Sequence, residues 1–492
     1  MDARSLQEKA PVAADVDTVR HGAIYFLARG AVGLLGLATI AIFTRILAPA
    51  EYGLYAIGVT AALIASSLAF QWIIVAVGRF VPAYLSRIGI VITATRRPFG
   101  YAVLLSLAAF LVAVPFQGVL GVSFGFLILV LLVTIGLGVH NLFLQVANSQ
   151  GRPFHFALLG LLKGAGTLVL GAALMLRIPT HVGALLGVIG GLFLSIAAGN
   201  PVRGARSESI DEARKLEPQL VRFGVPLLLT YVGTLAVDFA DRLLIAGILG
   251  PAAVGRYSAA YDLTSQAIGA INSVLFLAAS PAVIHAFESR GEEAARDRMR
   301  SLGRSLVVLA LPAAAGFAVM SPDIAQVLLG ESFRDDAVRI MPALAIAAWL
   351  NGFKNFYLDV TFQLRRKTRY QAAIALAMAA SNVALNIFLL RRYGIVAAAW
   401  ATVAAFVLGT LLSFFAGRGL MPLHSLRADF VKALAASGVM ALTIAALPGQ
   451  RGIVLLGQKL AVGVAVYLAA AWLLDISGAR DWRRRLSRIR PS

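Results

Sequence analysis

The chain contains no cysteine, which removes disulfides and thiolate metal sites from consideration. Charge is scarce too. Only 14% of residues are Asp, Glu, Lys or Arg, against 59% with apolar side chains, whereas soluble domains carry about 25% charged residues. Acidic residues are the rarer sign, 24 against 44 basic. The six histidines are scattered, with no HExxH, and neither a Walker sequence nor a dinucleotide-binding fingerprint occurs. These absences exclude an ordinary soluble enzyme, a metalloprotease of the HExxH kind and a self-contained ATP-driven pump.

What the sequence does have is apolar length. Mean hydropathy is +0.81 over 492 residues, and repeated runs of about 18 to 25 apolar residues predict membrane-spanning helices rather than the alternating strands of a β-barrel. Fourteen spans are read at about 22–47, 53–77, 99–114, 122–147, 154–176, 181–199, 219–249, 256–286, 303–329, 338–362, 370–390, 394–416, 430–447 and 453–474. The first is too long for the core of a signal peptide and is expected to stay as a span. A net charge of +20 would suggest nucleic acid in a soluble protein. Here the Lys and Arg gather in the tails and the even-numbered loops, which predicts both termini in the cytoplasm. The expected fold class is all-α and polytopic, and the two halves are expected to be pseudo-symmetric.

The symmetry rests on one motif that occurs twice. LAPAEYGLY at 47–55 and LGPAAVGRY at 249–257 share L-x-P-x-x-x-G-x-Y, through Leu47, Pro49, Gly53 and Tyr55 and through Leu249, Pro251, Gly255 and Tyr257. In both, an apolar run ends before the motif and another begins on it. Pro and Gly turn the chain, and the Tyr is expected at the water boundary. The spacing suits two fused bundles of about six helices. The organisation predicted is a cytoplasmic tail at 1–21, an N-terminal lobe at 22–199, a cytoplasmic linker at 200–218 and a C-terminal lobe at 219–416. Two added spans at 430–474 and a basic tail at 475–492, with Trp482 among arginines, complete it.

Charged residues inside spans are costly and mark function by default. From Gly22 to Gly199 the one acidic residue is Glu51, in a loop, yet Arg29 lies in the first span and Lys163 in the fifth. Tyr25 shares a helical face with Arg29, Gly160 and Gly164 flank Lys163, and Asn141, Gln145 and Asn148 share a face of the fourth span. A cationic, polar-lined cavity for an anion is therefore expected, the alternatives being snorkelling of Arg29 and pairing of Lys163 with an acid of the second half. The second half carries both signs: Asp238, Asp241 and Arg242 in the seventh span, Asp262 in the eighth, and Lys354 beside Asn351, Asn355 and Asp359 in the tenth. Asn382 and Asn386 follow in the eleventh and Thr402 in the twelfth. Asp238 and Arg242 are spaced to pair.

The stretches FTRILAPAEYGLYAIG, DRLLIAGILGPAAVGRYSAAYDL, LLGESFRDDAVRIMPALA and SNVALNIFLLRRYGIVAAAWATV resemble, in this order, the polysaccharide flippases called Wzx or PST proteins. These sit in the multidrug/oligosaccharidyl-lipid/polysaccharide exporter superfamily beside multidrug extruders and lipid II flippases. The resemblance implies two six-helix lobes around a central cavity, with Arg29 and Lys163 receiving the pyrophosphate of a lipid-linked sugar and Arg45 and Arg79 marking the cavity mouths. It also implies a non-enzymatic flippase of the bacterial inner membrane that moves undecaprenyl-pyrophosphate-linked oligosaccharide by alternating access. Membrane lipids, a polysaccharide polymerase and export machinery would be its partners, with no nucleic acid and no cofactor beyond a coupling H+ or Na+. The sodium pattern of the lipid II flippases is matched loosely by Asp238, Asn382, Asn386 and Thr402, with Asp241 one turn on, but Asn386 stands where that pattern has a carboxylate. Two other activities remain in view. A multidrug extruder for organic cations predicts carboxylates in the first-lobe spans, which are absent. A membrane polysaccharide polymerase needs a long outside loop, whereas those here are about ten residues or fewer by the span reading.

Overall fold

In a computed structural model, which describes residues 10–199, 209–449 and 452–476, the chain is helical almost throughout, with no strand among the described residues. The basic tail with Trp482 and the first part of the expected linker, 200–208, lie outside the described residues. Among the described residues, ten helices are long and apolar enough to cross a membrane. Two of them, Pro49–Phe116 and Pro251–Val319, run for 68 and 69 residues, room for two crossings each at about 20 residues per crossing. The chain is a multi-pass membrane protein.

Contacts divide it into two units: Met1–Thr39 with Leu54–Leu235, and Ile40–Gly53 with Ala236–Ser492. The first contains most of α1 (Ala10–Ile46) and α2 (Pro49–Phe80), then α3 (Ile88–Ala113), α4 (Phe124–Ser149), α5 (Pro153–Met175), α6 (His181–Ala198) and α7 (Ile210–Gly224). Small residues set how close α5 and α6 come: a Cβ on Gly187 would lie 2.3 Å from Gly171 Cα, and one on Gly166 would lie 2.7 Å from Gly191 Cα. In lipid such contacts replace the hydrophobic drive that would otherwise join helices.

α7 occupies part of what reads as linker and span. Ser209 caps it by accepting from the Glu212 N–H, and Asp211 and Glu212 suit the positive end of its dipole. Ala213, Leu216 and Leu220 recur at helical spacing and bury against Ile73, Val77 and Ile90, each leucine contributing about 2 kcal/mol. The charged residues face outward, as in an amphipathic surface helix. Pro226 then opens a tight turn, Val225–Leu227. The next helix, α8 (Leu228–Leu249), starts nine residues later than the span expected from 219.

The second unit continues with α9 (Pro251–Ser305), α10 (Leu311–Val319), α11 (Ser321–Leu328), α12 (Glu331–Phe353), α13 (Arg369–Tyr393), α14 (Ile395–Arg418), α15 (Arg427–Ala446) and α16 (Ile453–Leu473). Gly394, at φ 61°, is the whole turn between α13 and α14, a left-handed conformation that favours glycine. Two π turns, Leu306–Ala310 and Lys354–Leu358, interrupt this unit. Such widened turns recur at functional sites.

The two motif copies meet inside this unit. Pro49 and Pro251 each open a helix, where the missing N–H costs nothing. A Cβ on Gly53 would sit 1.8 Å from Pro251 O, and one on Gly255 would sit 2.0 Å from Pro49 O. The approach is reciprocal, backbone against backbone. Thr44 Oγ1 accepts from the Gly330 N–H at 3.1 Å, and Tyr52 meets Phe333 edge-on at 5.5 Å, fixing 40–53 to this unit.

Candidate functional site

α1 runs beside α5 in the first unit. Tyr25 and Phe156 meet at 5.2 Å. Cβ atoms on Gly160 and Gly164 would touch Val32 and Leu35, and one on Gly191 would touch the Lys163 carbonyl. The glycines around Lys163 therefore serve close helix packing on both sides. Arg29 is exposed and Lys163 half-buried, and neither has a hydrogen-bond or ion-pair partner among the described residues. Asn141 is half-buried. Gln145 donates to Ser149 Oγ at 3.0 Å and packs over Gly78. Arg79, at the end of α2, is exposed. These groups belong to one unit and lie on α1, α2, α4 and α5.

Arg45 and Lys354 lie in the other unit. Arg45 donates to the Val327 carbonyl, which ties it to the end of α11. Lys354 is 4% exposed and its Nζ lies 2.7 Å from Asp359 Oδ2, while Ser413 Oγ donates to Asp359 Oδ1 at 2.7 Å. The π turn carries Lys354 inward to this carboxylate. It is one half of a buried ion pair rather than an open cation.

The most developed polar site is built around Asp241, 4% exposed. Tyr257 OH and Thr402 Oγ1 donate to Oδ2 at 2.8 and 2.7 Å, and Asn386 Nδ2 donates to Oδ1 at 2.8 Å. Asn386 Nδ2 also reaches Asn382 Oδ1 at 3.1 Å. The neighbouring Arg242 pairs with Asp262 across α8 and α9, so the i, i+4 spacing to Asp238 is not its only outlet. Two hydroxyls and one amide thus converge on the Asp241 carboxyl group. Asn386 Oδ1 is buried without a partner, a free acceptor beside a carboxylate. A buried carboxyl group ringed by two hydroxyls, one amide N–H and the spare Asn386 Oδ1 is suited to taking up a proton, and the oxygens of Asp241, Thr402, Asn382 and Asn386 are of the kind that suit a hard cation.

A cavity of about 180 Å³ is lined by Tyr261, Ser265, Asn272, Asn351, Asn355 and Thr402, so Thr402 faces both cavity and carboxylate. Thr402 and Ser413 are eleven residues apart, about three turns, and α14 therefore offers hydroxyls to Asp241 and Asp359 from one face.

Two hairpins create the Asp241 site. Asp241 and Tyr257 lie eight residues on either side of Leu249, and Asn386 and Thr402 eight on either side of Gly394. Arms of a tight helical hairpin bring such mirror positions to one depth, about 12 Å from the turn at 1.5 Å per residue. Tyr257 is the group the sequence reading missed. Expected at the water boundary, it is 1% exposed and bound to a carboxylate. Its mirror relation to Asp241 was the available signal.

A family model described as polysaccharide biosynthesis protein matches residues 42–338. No curated protein matches the sequence. Among solved structures, the lipid II flippase MurJ in an inward closed conformation aligns with TM-score 0.70 at 16% identity, over 92% of this chain and 98% of that one. An inward-facing MATE family multidrug resistance transporter aligns with TM-score 0.59 at 15% identity, over 80% and 98%. A MOP superfamily transporter from Pyrococcus furiosus, described as having a binding pocket of reversed polarity, aligns with TM-score 0.55 at 13% identity, over 82% and 95%. At these identities the likeness is one of fold.

Proposed function

The chain belongs to the polysaccharide biosynthesis protein family, and from that premise we propose that it is a flippase for lipid-linked oligosaccharide. The cargo is an undecaprenyl-pyrophosphate-linked repeat unit, moved from the cytoplasmic to the periplasmic leaflet of a bacterial inner membrane for surface polysaccharide assembly. Both termini are cytoplasmic. The observation that carries this reading is Lys163, a half-buried amine in a membrane helix with no hydrogen-bond or ion-pair partner among the described residues. A cation held there is costly until an anion arrives, and a pyrophosphate head that cannot cross hydrocarbon unaided needs such a group. Arg29, one helix away, is the second cation. The fold shared with a lipid II flippase supports a cargo with a polyprenyl tail left in lipid and a polar head carried past it, by access that alternates between the two faces. Asp241, with Asn382, Asn386 and Thr402, is the coupling site for H+ or Na+, and Asp238 lies one turn away on the same helix. No bond is made or broken in the cargo.

Deleting the gene and analysing lipid-linked intermediates tests this. Repeat units should accumulate in the cytoplasmic leaflet, and Lys163→Ala should lower transport in proteoliposomes by about tenfold, the effect of losing one charge-assisted contact of about 1.5 kcal/mol. Unchanged intermediates with lost resistance to cationic drugs would point to an extruder instead.

A further inference from the structure

Apart from these groups, a cavity of about 570 Å³ opens in the second unit where α12, the π turns, α14 and the 419–426 loop converge. That volume is in the range of ligand sites. Its walls are apolar, among them Phe353, Tyr357, Met421 and Phe430. Its rim is cationic, with Arg418 and Arg427. Nearby basic groups are already matched: Arg304 with Asp429 at 3.0 Å and His424 with Asp297 at 3.3 Å. Arg418 lies over the Phe414 ring at 5.5 Å. Neither the Arg418 nor the Arg427 guanidinium has a carboxylate partner among the described residues.

Two further features mark a built site. Thr361 lines the cavity, is 0% exposed, and its hydroxyl has no hydrogen-bond partner. An orphaned buried hydroxyl needs an explanation. Both π turns contribute walls, Val307 from one and Tyr357 and Leu358 from the other. The arrangement is therefore layered: cations at the rim, aromatic rings between, and one donor deep inside. Ser413, also in the lining, is buried five residues from the exposed Arg418, about 7.5 Å along α14. The 419–426 loop lies on the side that the Lys/Arg bias gives to the cytoplasm, where basic pockets between membrane helices take lipid headgroups.

We propose that this cavity is a binding site for one anionic bilayer phospholipid, separate from the transport cations of the first unit. The phosphate sits on Arg418 and Arg427, an acyl chain follows Phe353 and Phe430, and the Thr361 hydroxyl donates to an ester carbonyl.

The test is native mass spectrometry of the full chain released from detergent with phosphatidylglycerol or phosphatidylcholine. The wild type should retain one phosphatidylglycerol in preference to phosphatidylcholine. The double variant Arg418→Gln/Arg427→Gln should reduce the affinity behind that occupancy by about 30-fold, since the two basic residues add attraction of roughly equal size. Gly417→Leu keeps both charges and fills the space, because a Cβ at Gly417 meets nothing within 4 Å, and it should reduce occupancy too. Melting curves establish that each variant is folded, and the arginine pair decides alone if Gly417→Leu is not. Equal retention of the two lipids, or occupancy unchanged in the folded variants, overturns the proposal. Displacement by soluble glycerol phosphate also overturns it, because the site would then belong to a free anion.

Discussion

The two copies of L-x-P-x-x-x-G-x-Y share a turn and differ in what they carry to it. In the second copy the mirror positions about the turn are Asp241 and Tyr257, hydrogen-bonded at 2.8 Å. In the first they are Thr39 and Tyr55, and the Thr39 hydroxyl folds back onto the Leu35 carbonyl of its own helix at 2.7 Å. Within the membrane helices, the cations Arg29 and Lys163, which have no ion-pair partner among the described residues, lie in the first unit, and the buried carboxylates Asp241 and Asp359 in the second. Both π turns, among the described residues, also fall in the second. The same turn is built twice, and the polar residues one to two turns inward of it differ between the two copies.

The largest effect expected from breaking this asymmetry is at Asp241. Asp241→Asn should cut coupled transport in proteoliposomes by about 100-fold, the equivalent of roughly 3 kcal/mol from losing charged hydrogen bonds. Thr39→Ala, its counterpart, should leave transport within about twofold. Comparable losses at both would erase the division of labour. Next come Gly53→Ala and Gly255→Ala. Alanine gains about 1 kcal/mol of helix propensity. A Cβ 1.8 or 2.0 Å from a carbonyl oxygen cannot be accommodated without backbone movement, so the clash wins. Each should lower stability by about 1–3 kcal/mol, read as a fall in Tm, and the two falls should match if the contact is reciprocal. Smallest are Tyr257→Phe and Thr402→Val, which each remove one donor from Asp241 Oδ2. Each should weaken ion dependence by about tenfold. A null result for both would mean that Oδ2 is not the coordinating oxygen.

Much of this was legible beforehand because membrane physics leaves few options. Span length, the Lys/Arg bias and the Pro and Gly of the motif all follow from rules that act along the chain, and the all-α polytopic fold emerged as expected. The absence of acids from the first-half spans, apart from Glu51 in a loop, was likewise plain in the letters. What stayed hidden depended on pairings through space. Nothing in the letters around Lys354 announces a π turn, so its burial against Asp359 could not be read. The charged stretch before the seventh span looked like linker because its apolar spacing, Ala213, Leu216 and Leu220, is short and interrupted by charge. Tyr257 was assigned by the general habit of amphipathic rings, which the local carboxylate overrode. The phosphate-facing roles of Arg29, Arg79, Asn141 and Gln145 remain proposals, to be decided by transport measurements.

Gly394 joins two long helices by a single residue, and that brevity turns the hairpin into a ruler. Loops on a protein surface usually absorb insertions without consequence. Here one extra residue would rotate Thr402 by about 100° and slide it by about 1.5 Å, sending its hydroxyl away from Asp241 while every side chain stayed the same. Length at this corner is therefore under tighter constraint than composition, and functional relatives should tolerate many substitutions along both arms before they tolerate one insertion at the bend.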